Sequence, residues 1–554
     1  MLHARGSLLT IDVENRTATT SDIGDVLENA IGGRGAGTYL AHERIPFDVD
    51  PLGPDNRLYF ATGPLQQSQM SFTGRMSLTG VSPLTNGLLS SNAGGYLSRH
   101  FVDTGHSVVE ITGTSDELLA IHVSDEGVEF EEVPDLAQAT VPEVSEAMHT
   151  RHGHDPEQLT TIGPAGENGV RFASVMTYDN RAFGRGGLGA ALGAKNVKTI
   201  SYSGDSAPEV DLPATDLHQE IHRTAATSDD IMRRQGTTNL GDLLNYQFSL
   251  PTRYFSEMSF DEGIDNINGD AVEEAKYEKA ACSVCAFACK LPTRDEETGF
   301  ETEGPEFETI FSFGSSCGID ELLSIMKSNE LCDSLGMDTI SCGVTIAGYL
   351  ESNDEFGNSE LVHDLIEKIA YREDEGDLLA EGIDRIHDEL GIENWSVKGL
   401  EHAAHDGRAA QGQGLSYAVA NRGADHLYSG TMILEYHGII DPEGTAGKAP
   451  VVIQNENETA VKDSGVICVF GGQFMDEETI ATLFNTDYET LQSAGARIVE
   501  LERHFNNRRG MDAEQDWIPY DLPDLEDSIQ EYYELRGWNA DGTVPETMVA
   551  EYAG

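Results

Sequence analysis

The sequence predicts an α+β protein in which a β-rich N-terminal domain is followed by two mainly α-helical domains. Up to about residue 205, short apolar runs such as 107–111 and 160–162 are separated by Gly, Pro, Asn and Asp, which is typical of strands joined by turns. From about residue 213, apolar residues recur at helical spacing beside acidic faces, as in 361–371 and 480–505. At ~150 residues per domain, a length of 554 residues predicts roughly three to four domains.

Two breaks divide the chain. The segment 201–213 is rich in Ser, Pro and acid and predicts a linker, and a second break is expected near 391–397. No fixed-period repeat is evident, although the Gly-Arg-Gly of 33–35 returns at 184–186. The predicted division is a β-rich domain over 1–205, a helical domain over 213–395 and a second helical domain over 396–554.

The charge balance is strongly acidic. The chain has 96 Asp and Glu against 35 Lys and Arg, a net charge of −61, and the acid is spread along its whole length. Because it has no basic stripe, we expect no nucleic-acid partner and no binding to an anionic membrane surface. A hydrophobic fraction of 39% argues against a disordered acidic tail. Diffuse acid is typical of halophilic cytosolic proteins, whose charge keeps them soluble in high salt.

The sequence predicts a cytoplasmic protein without disulfides. It contains no run of ~18 apolar residues, so no membrane span is expected, and its start has no apolar signal segment. The seven cysteines are an odd number, and none occurs before residue 282. Three of them then follow within eight residues. Such clustering in a reducing compartment indicates a bound metal group in place of a disulfide framework.

Cys282, Cys285 and Cys289 form a CxxCxxxC motif. Three thiolates at this spacing can converge on one face of a turn followed by a helix, which suits three corners of a 4Fe–4S cluster whose fourth cysteine lies elsewhere. A zinc site would need a second CxxC or a His pair, and neither follows. Radical SAM enzymes use the reverse spacing, and buried structural cysteines are the remaining alternative. The spacing therefore favours the 4Fe–4S cluster.

The glycine-rich segment 184–189 matches GxGxxG and lies between candidate strands at 173–177 and 197–202. A dinucleotide-binding loop and an ordinary glycine-rich turn both remain open at this point. Arg181 and Arg185 add positive charge beside closely spaced backbone amides. The segment therefore predicts a site for some phosphate group.

Four further segments carry candidate site residues. Arg75 and the small residues 91–95 would let a flat ligand approach the backbone, while an Asn there offers donors and acceptors. Glu308 follows the cysteines closely, although any one Glu in a chain with 96 acids is seldom catalytic. Residues 333–338 fit either a helix C-cap or a ligand site. Residues 421–426 end in a His that could donate to a carbonyl oxygen.

In this order, these segments resemble the tungsten-containing aldehyde:ferredoxin oxidoreductase family. The resemblance spans nearly the whole chain, from 32–37 to Cys468, and is weaker beyond about residue 475. With its acidity, the chain resembles a halophilic, haloarchaeal-type member. The stretches that carry the resemblance are 54–65, 82–85, 91–95, 184–193, the CxxCxxxC motif, 304–309, 333–338 and 421–426.

The resemblance implies that the N-terminal domain forms a base for the cofactor and that the two helical domains close over it. The cofactor would be tungsten, or alternatively molybdenum, held by two pyranopterins whose phosphates a magnesium ion bridges, beside a 4Fe–4S cluster. This assignment replaces the dinucleotide interpretation of 184–189. The implied cluster ligands are Cys282, Cys285, Cys289 and Cys468. The residues implied to contact the pterins or their phosphates are Arg75, Asn92, Gly94, Arg181, Ala182, Gly184, Arg185, Asp333, Met337, Asp338, Arg422, Gly423 and Cys468.

The implied reaction converts an aldehyde and water into a carboxylic acid, with release of two electrons and two protons. Glu308 would be the general base, with a pKa that burial should raise. His426, with His437 as the alternative, would donate a hydrogen bond to the aldehyde oxygen. Electrons would leave through the cluster to ferredoxin, and a homodimer is a further expectation.

Three positions depart from the family pattern. The second pterin motif is expected as DxxGLC, but its glycine, Gly465, stands one place early. Phe307 stands where Tyr is common, so one possible substrate hydroxyl is missing. Lys327 stands where some relatives have a Glu that joins two subunits through a metal, which argues against such a metal here.

Two other functions are weighed against this one. The first is a molybdopterin oxidoreductase of the dimethyl-sulfoxide-reductase type, whose cluster motif lies near the N-terminus, whereas here it begins at residue 282. The second is a non-catalytic iron–sulfur electron carrier, which would not need Arg75, Asn92 and Arg185. Both are weaker explanations of the whole set of motifs.

Overall fold

Two six-stranded sheets form the N-terminal part of the chain, for which a computed structural model describes residues 1–177, 180–550 and 552. The strands of these sheets are β1 (Ser7–Asp12), β2 (Thr17–Ser21), β3 (Leu58–Ala61), β4 (Met76–Val81), β5 (Leu88–Ala93), β6 (His106–Thr112), β7 (Leu119–Ser124), β8 (Gly127–Glu132), β9 (Leu159–Thr161), β10 (Val175–Thr177), β11 (Arg181–Phe183) and β12 (Val197–Tyr202). Two short hairpins follow, β13 (Pro292–Arg294) with β14 (Glu301–Glu303) and β15 (Ser396–Val397) with β16 (Leu400–Glu401).

The two sheets share a mixed topology. The first has the order β2-β1-β6-β3-β4-β5 and the second the order β11-β10-β9-β12-β7-β8. β1 runs parallel to β6 and β12 parallel to β7, whereas the other neighbouring strands are antiparallel. Their apolar faces meet in one core that includes Phe60, Phe101, Phe183 and Tyr202. The sheets therefore pack as layers of a single β-rich unit.

Helices accompany the sheets in the N-terminal part and dominate the remainder of the chain. The helices of the N-terminal part are α1 (Gly24–Ala30), α2 (Gly33–Arg44), α3 (Leu97–Asp103), α4 (Val141–His152), α5 (Pro164–Glu167) and α6 (Leu188–Gly193). The later helices are α7 (Thr215–Thr227), α8 (Met232–Gln235), α9 (Leu240–Tyr246), α10 (Gly269–Ala275), α11 (Phe307–Thr309), α12 (Leu322–Leu335), α13 (Thr339–Asn353), α14 (Ser359–Tyr371), α15 (Glu375–Leu379), α16 (Ile383–Leu390), α17 (Gln411–Val419), α18 (Thr431–Tyr436), α19 (Ala449–Gly465), α20 (Glu477–Leu483), α21 (Tyr488–Arg508), α22 (Leu525–Arg536) and α23 (Glu546–Ala550).

The α+β class predicted from the sequence is confirmed, because a β-rich N-terminal region precedes a mainly helical one. The helical spacing of 361–371 corresponds to α14. The helical spacing of 480–505 corresponds to two helices, α20 and α21, because the chain turns at Asn485, whose φ is +51°. Among the described residues, no helix combines the length and hydropathy that a bilayer crossing requires.

The glycine-rich segment 184–189 does not lie in a βαβ unit. β10 and β11 before it are antiparallel, and α6 after it has only six residues. Gly187 begins this helix with φ +75°, and a Cβ there would lie 1.9 Å from the carbonyl oxygen of Arg171. Close backbone packing therefore explains this glycine, and the topology differs from that of a dinucleotide-binding fold.

Candidate active site

The four cysteines assigned to a cluster lie together. Burial raises the pKa of Cys289 well above its usual value, and the neighbouring thiols of Cys468 and Cys282 add to the rise. Removing a proton from one of these thiols is therefore costly until a cation shares the site. One cavity is lined by Phe72, Gly74, Arg75, Cys282, Cys285, Ala288, Cys289, Cys468 and Phe470.

Turns, and not a helix, hold the CxxCxxxC motif in place. The spacing predicts a turn followed by a helix, but Val284 and Ala288 both have positive φ, +52° and +54°, which interrupts any helix. The loop is fastened from outside: the Ser283 amide donates to the Gly95 carbonyl at 3.1 Å. The Ala286 amide donates to Ser71 Oγ at 3.0 Å. The loop that carries the three thiols is thus held by the segments that precede β4 and follow β5.

Gly94 lies against the cysteine cavity. A Cβ on Gly94 would lie 3.2 Å from Cys282 Sγ and 3.4 Å from Arg75 Nη1. Its small size therefore lets the thiol and the guanidinium approach the end of β5. The sequence assigned Gly94 to the pterin, and its position next to Cys282 adds a second reason for a glycine here.

Arg75 connects the cysteines with the polar interior. Its Nε donates to Asn92 Oδ1, and its Nη1 lies 3.7 Å from Cys468 Sγ. Asn92 Nδ2 in turn donates to Asp463 Oδ1 at 3.5 Å. Burial raises the pKa of Asp463, while Arg34, Arg75 and Arg422 oppose that rise. A chain of polar contacts thus runs from the cysteine cavity into the molecule.

Two helices end in the same way at the two assigned pterin motifs. α12 ends at Gly336 with φ +79°, and α19 ends at Val466 with φ +63°. In α12 the amides of residues 336 and 337 both donate to the carbonyl of Cys332, and in α19 those of residues 466 and 467 both donate to Lys462. The early glycine of the second motif therefore leaves the backbone donor pattern unchanged.

Each sheet packs a Gly-Pro turn against one of these helix ends. A Cβ on Gly63 would lie 2.4 Å from the carbonyl oxygen of Ser464, and one on Gly163 would lie 2.2 Å from that of Leu335. The repeated Gly-Arg-Gly follows the same division, since Arg34 lies 3.4 Å from Asp463 and Arg185 lies 3.6 Å from Asp338. The two halves of the site thus share the Gly-Pro turn at a helix end and an arginine near the motif, although Asp463 is the first residue of its motif and Asp338 the last of its own.

The half of the site that contains Arg185 and Arg422 is a buried group of charged side chains. Arg185 donates to the carbonyls of Ala424 and Glu401, and its Nε, which faces Asp338, makes no hydrogen bond. Arg422 Nη1 lies 3.3 Å from Asp425 Oδ2. The buried Nε of Arg422 and Oδ2 of Asp425 also make no hydrogen bond. Buried polar atoms that make no hydrogen bond are costly even within an ion pair, so these atoms point to a polar ligand at this position.

The remaining assigned residues are spread around this centre. Arg181 forms ion pairs with Glu303 and Glu306, each at 3.0 Å, and its charge acts on the pKa of Cys289, so it lies on the side of the cysteines. Asp333 accepts from Asn329 at 3.1 Å, and burial raises its pKa well above the usual range, with Glu330 and Glu303 adding to the rise. Elsewhere, Ala182 lies in β11, Gly184 lies near Asp338, Met337 follows the end of α12, and Gly423 packs on the carbonyl of Val397.

Glu308 lies between two histidines. Its Oε1 is 3.3 Å from His426 Nε2 and 3.4 Å from His405 Nε2. Its Oε2 accepts from the Ala404 amide at 3.0 Å. His405 Nδ1 contacts the hydroxyl of Tyr436 at 3.2 Å, which orients the ring. This trio lies next to the charged group, since Asp425 and Arg185 both act on the pKa of His426.

The pKa of Glu308 is lower than the sequence led us to expect. Burial by itself raises it, as predicted, but His426, His405 and the Ala404 amide together outweigh burial and lower the pKa to about 2. Burial also lowers the pKa of His426. Glu308 is therefore a carboxylate at neutral pH, the protonation state that a general base requires.

Two models of one protein family match the chain. Residues 8–204 match the N-terminal domain of aldehyde ferredoxin oxidoreductase, and residues 214–553 match its domains 2 and 3. The chain belongs to the aldehyde ferredoxin oxidoreductase family. This membership makes it an oxidoreductase, as the sequence motifs predicted.

Curated members of the aldehyde ferredoxin oxidoreductase family match along nearly their whole length. The tungsten-containing aldehyde ferredoxin oxidoreductase of Pyrococcus furiosus is 32% identical, with 94% of each chain covered. That of Thermococcus kodakarensis is 32% identical over 99% of this chain and 98% of its own. The solved BamBC active-site complex of benzoyl coenzyme A reductase superposes with a TM-score of 0.85 at 20% identity, covering 100% and 97%, and shares the fold.

Sequence reasoning missed two residues of this family member's candidate site. His405 was not singled out, although His402 and His405 are three residues apart, a spacing that can bring two rings to one site. Arg34, only 1% exposed, was noted in the repeated Gly-Arg-Gly but not assigned, and it pairs with both Glu502 and Asp463. His437, the alternative to His426, is exposed.

Proposed function

We propose that this chain oxidises an aldehyde to a carboxylic acid, using water as the oxygen source and releasing two electrons and two protons. The observation that carries the proposal is the carboxylate of Glu308, 3.3 Å from His426 and 3.4 Å from His405, beside the buried charges of Arg185 and Asp425. A base and a donor converge here at the edge of a polar interior. The names of the tungsten-containing relatives supply the substrate class.

The residues fit the two groups that the family implies. Four thiols lining one cavity are the donor set of a 4Fe–4S cluster, with Cys282, Cys285, Cys289 and Cys468 as its ligands. The buried Nε donors of Arg185 and Arg422, which make no hydrogen bond, fit an anionic group of the cofactor, and the buried Asp425 Oδ2 fits an N–H or O–H donor of it. The proposed contacts to a tungsten bis-pyranopterin, or its molybdenum analogue, are Arg75, Asn92, Gly94, Arg181, Ala182, Gly184, Arg185, Asp333, Met337, Asp338, Arg422, Gly423 and Cys468.

When bound, the pterin metal supplies a two-electron acceptor, and the cluster passes electrons on singly. The protein supplies the proton chemistry. Glu308 accepts a proton from the attacking water, and its low pKa would by itself make it a weak base. The two imidazole nitrogens near its Oε1 give that proton a further acceptor. His426 also donates a hydrogen bond to the aldehyde oxygen and stabilises the charge that develops there.

Ferredoxin is the proposed electron acceptor. Cys468 is followed by Val469, which is 43% exposed, so the cysteine cavity lies close to the surface. A partner protein can therefore come within electron-transfer distance of the cluster. Arg75 lies between this cavity and the polar interior, which gives electrons a short route outward.

Replacement of Glu308 tests the proposal. We expect Glu308→Gln to lower kcat for an aldehyde with a viologen acceptor by about 10²–10⁴, since the proton acceptor is lost while the shape is kept. Tungsten and iron, measured in the anaerobically purified protein, should stay at wild-type levels, with about four iron per chain for one cluster. Normal turnover in the fully loaded Gln variant would contradict the assignment of the base.

Metal analysis of the wild-type protein tests the cofactors independently. Tungsten together with iron is expected, and Cys289→Ser should lower the iron content. His437→Gln is the matched control, because this exposed histidine lies outside the proposed site and should change neither turnover nor metal content. Zinc as the only metal would exclude the proposed chemistry.

A further inference from the structure

Three histidines and one glutamate meet at the surface of the second sheet. His122 lies on β7, Glu131 on the neighbouring β8, and His152 is the last residue of α4. Gly153 turns the chain with φ +71°, and His154 follows. None of these residues belongs to the candidate active site, and the family resemblance assigns no role to them.

We propose that His122, Glu131 and His152 bind a divalent transition-metal ion such as Zn²⁺. His122 Nε2 lies 3.3 Å from Glu131 Oε2, and His152 Nε2 lies 2.7 Å from the same oxygen. All three donor atoms lie within 4.8 Å of one another. Ligand atoms about 2.0–2.1 Å from a tetrahedral zinc are roughly 3.3 Å apart. The His122–Glu131 separation already has this value, and the His152–Glu131 separation must lengthen by about half an ångström.

The surroundings hold His122 in the orientation that a metal ligand needs. Its Nδ1 lies 2.9 Å from Ser201 Oγ and 3.3 Å from His154 Nε2. A proton on Nδ1 that is donated to either partner leaves the lone pair of Nε2 directed towards Glu131. Arg151 meanwhile binds the other oxygen of Glu131, Oε1, at 3.2 Å. Such outer contacts fix the tautomer and the ring in known metal sites.

The arrangement leaves a fourth position open to solvent. The side chains of His122, Glu131 and His152 are 13%, 29% and 35% exposed, so an ion can enter without unfolding of the sheet. Two imidazoles, one carboxylate and a water would complete a tetrahedral zinc. An ion here joins the end of α4 to the β7–β8 hairpin and should stabilise this part of the protein against unfolding.

Titration of the loaded enzyme with Zn²⁺ after chelator dialysis tests the site. By calorimetry at pH 7.5, we expect the wild type to bind one more equivalent of Zn²⁺ than His152→Gln or His122→Gln. Zn²⁺ should raise the thermal midpoint of the wild type but not that of either variant. Ser201→Ala should weaken binding by about tenfold, since it removes the closer of the two partners of His122 Nδ1. His437→Gln, an exposed histidine elsewhere, should behave as the wild type.

Co²⁺ as a probe identifies the ligands. We expect tetrahedral visible bands without thiolate charge transfer in the wild type, and their loss in His152→Gln, whose exposed position leaves the fold intact. Equal Zn²⁺ binding by the wild type and both histidine variants would overturn the proposal. So would a thiolate charge-transfer band, because it would assign the ion to cysteines.

Discussion

At the scale of single residues, Glu308 shows how neighbours decide the role of a buried acid. Burial favours the neutral carboxyl group, as it does for most carboxyl groups in apolar surroundings. Here three partners, His426, His405 and the Ala404 amide, reverse that preference and bring the pKa to about 2. Of these partners, His405 and Ala404 are about a hundred residues away in sequence, so no local pattern around Glu308 could reveal the reversal.

The pH profile follows from this reversal. Because the pKa of Glu308 is depressed, its carboxylate is present above its ordinary value of 4.5 and is lost only as the pH falls towards 2. We therefore expect kcat/KM for an aldehyde to show no acid limb from Glu308 between pH 5 and about 8. In His405→Gln one of the lowering contacts is gone, so an acid limb should appear at higher pH than in the wild type.

Steady-state rates in a series of buffers at constant salt give both profiles. A wild-type limb with a midpoint near 6 would mean that burial dominates in the loaded enzyme, as the sequence alone suggested. Profiles that are identical in the wild type and His405→Gln would mean that His405 does not act on Glu308. The fold of the variant is checked by its iron content.

At the scale of elements, the two helix ends show why the second motif tolerates a glycine that stands one position earlier than in the first motif. The first motif places Gly336 at the left-handed position that ends α12, where glycine is favoured. In the second motif Val466 takes that position at φ +63°, at a backbone cost of about 1–2 kcal/mol. Its side chain is completely buried among apolar residues, which is worth about 1.5–3 kcal/mol. The burial offsets the strain.

Gly465 is retained for a different reason, which a substitution can test. A Cβ on Gly465 would lie 2.3 Å from Phe484 Cζ in a closely packed core. We expect Gly465→Ala to destabilise the protein by about 1–3 kcal/mol, seen as a lower thermal midpoint. The double variant with Phe484→Leu, which replaces the ring by a smaller side chain, should recover part of the lost stability. Gly472→Ala is the control, since its Cβ would meet only Lys462 Nζ at 3.6 Å.

A thermal midpoint for Gly465→Ala equal to that of Gly472→Ala would show that the helix end can shift at no cost. If the loss is the same in the double variant, the collision with Phe484 is not its cause. Either result would reopen the question of why the glycine stands one place early.

Elements with a strong local period could be predicted, and those defined by distant partners could not. The candidate strand at 197–202 coincides with β12, and the helical spacing of 361–371 falls within α14. The loop of the CxxCxxxC motif was expected to continue into a helix, but contacts with Gly95 and Ser71 hold it in turns. Sequence spacing carries no information on such contacts.

At the scale of the whole molecule, the two sheets and two helix ends form a repeated architecture that the sequence shows only faintly. The repeated Gly-Arg-Gly is its clearest trace, with Arg34 facing Asp463 and Arg185 facing Asp338. The pairing of each Gly-Pro turn with its own helix end depends on tertiary packing of segments far apart in sequence. The site motifs could therefore be found one by one, but their symmetric arrangement could not.

Basic and acidic side chains are distributed differently between the interior and the surface. In a chain with only 35 basic residues, Arg34, Arg185 and Arg422 are all buried around the proposed cofactor site. The large excess of acid, by contrast, must be hydrated and screened at the surface, since unpaired buried carboxylates are costly. This arrangement agrees with the composition of halophilic proteins, which stays a prediction for this chain.

The charge of −61 leads to a prediction for the proposed electron transfer. Ferredoxins are usually acidic, so the two proteins should repel each other at low salt, where the screening length is about 10 Å at 0.1 M. At 1 M salt the length falls to about 3 Å, and the repulsion between the two surfaces largely disappears. We expect the rate of ferredoxin reduction to rise from 0.1 M to about 1 M KCl.

A dicationic viologen as acceptor is the control. The acidic enzyme attracts this acceptor, so its rate of reduction should fall or stay constant over the same range of salt. Circular dichroism at each concentration separates docking from unfolding. If the folded enzyme reduces ferredoxin fastest at low salt, a local basic surface, and not the overall charge, governs docking.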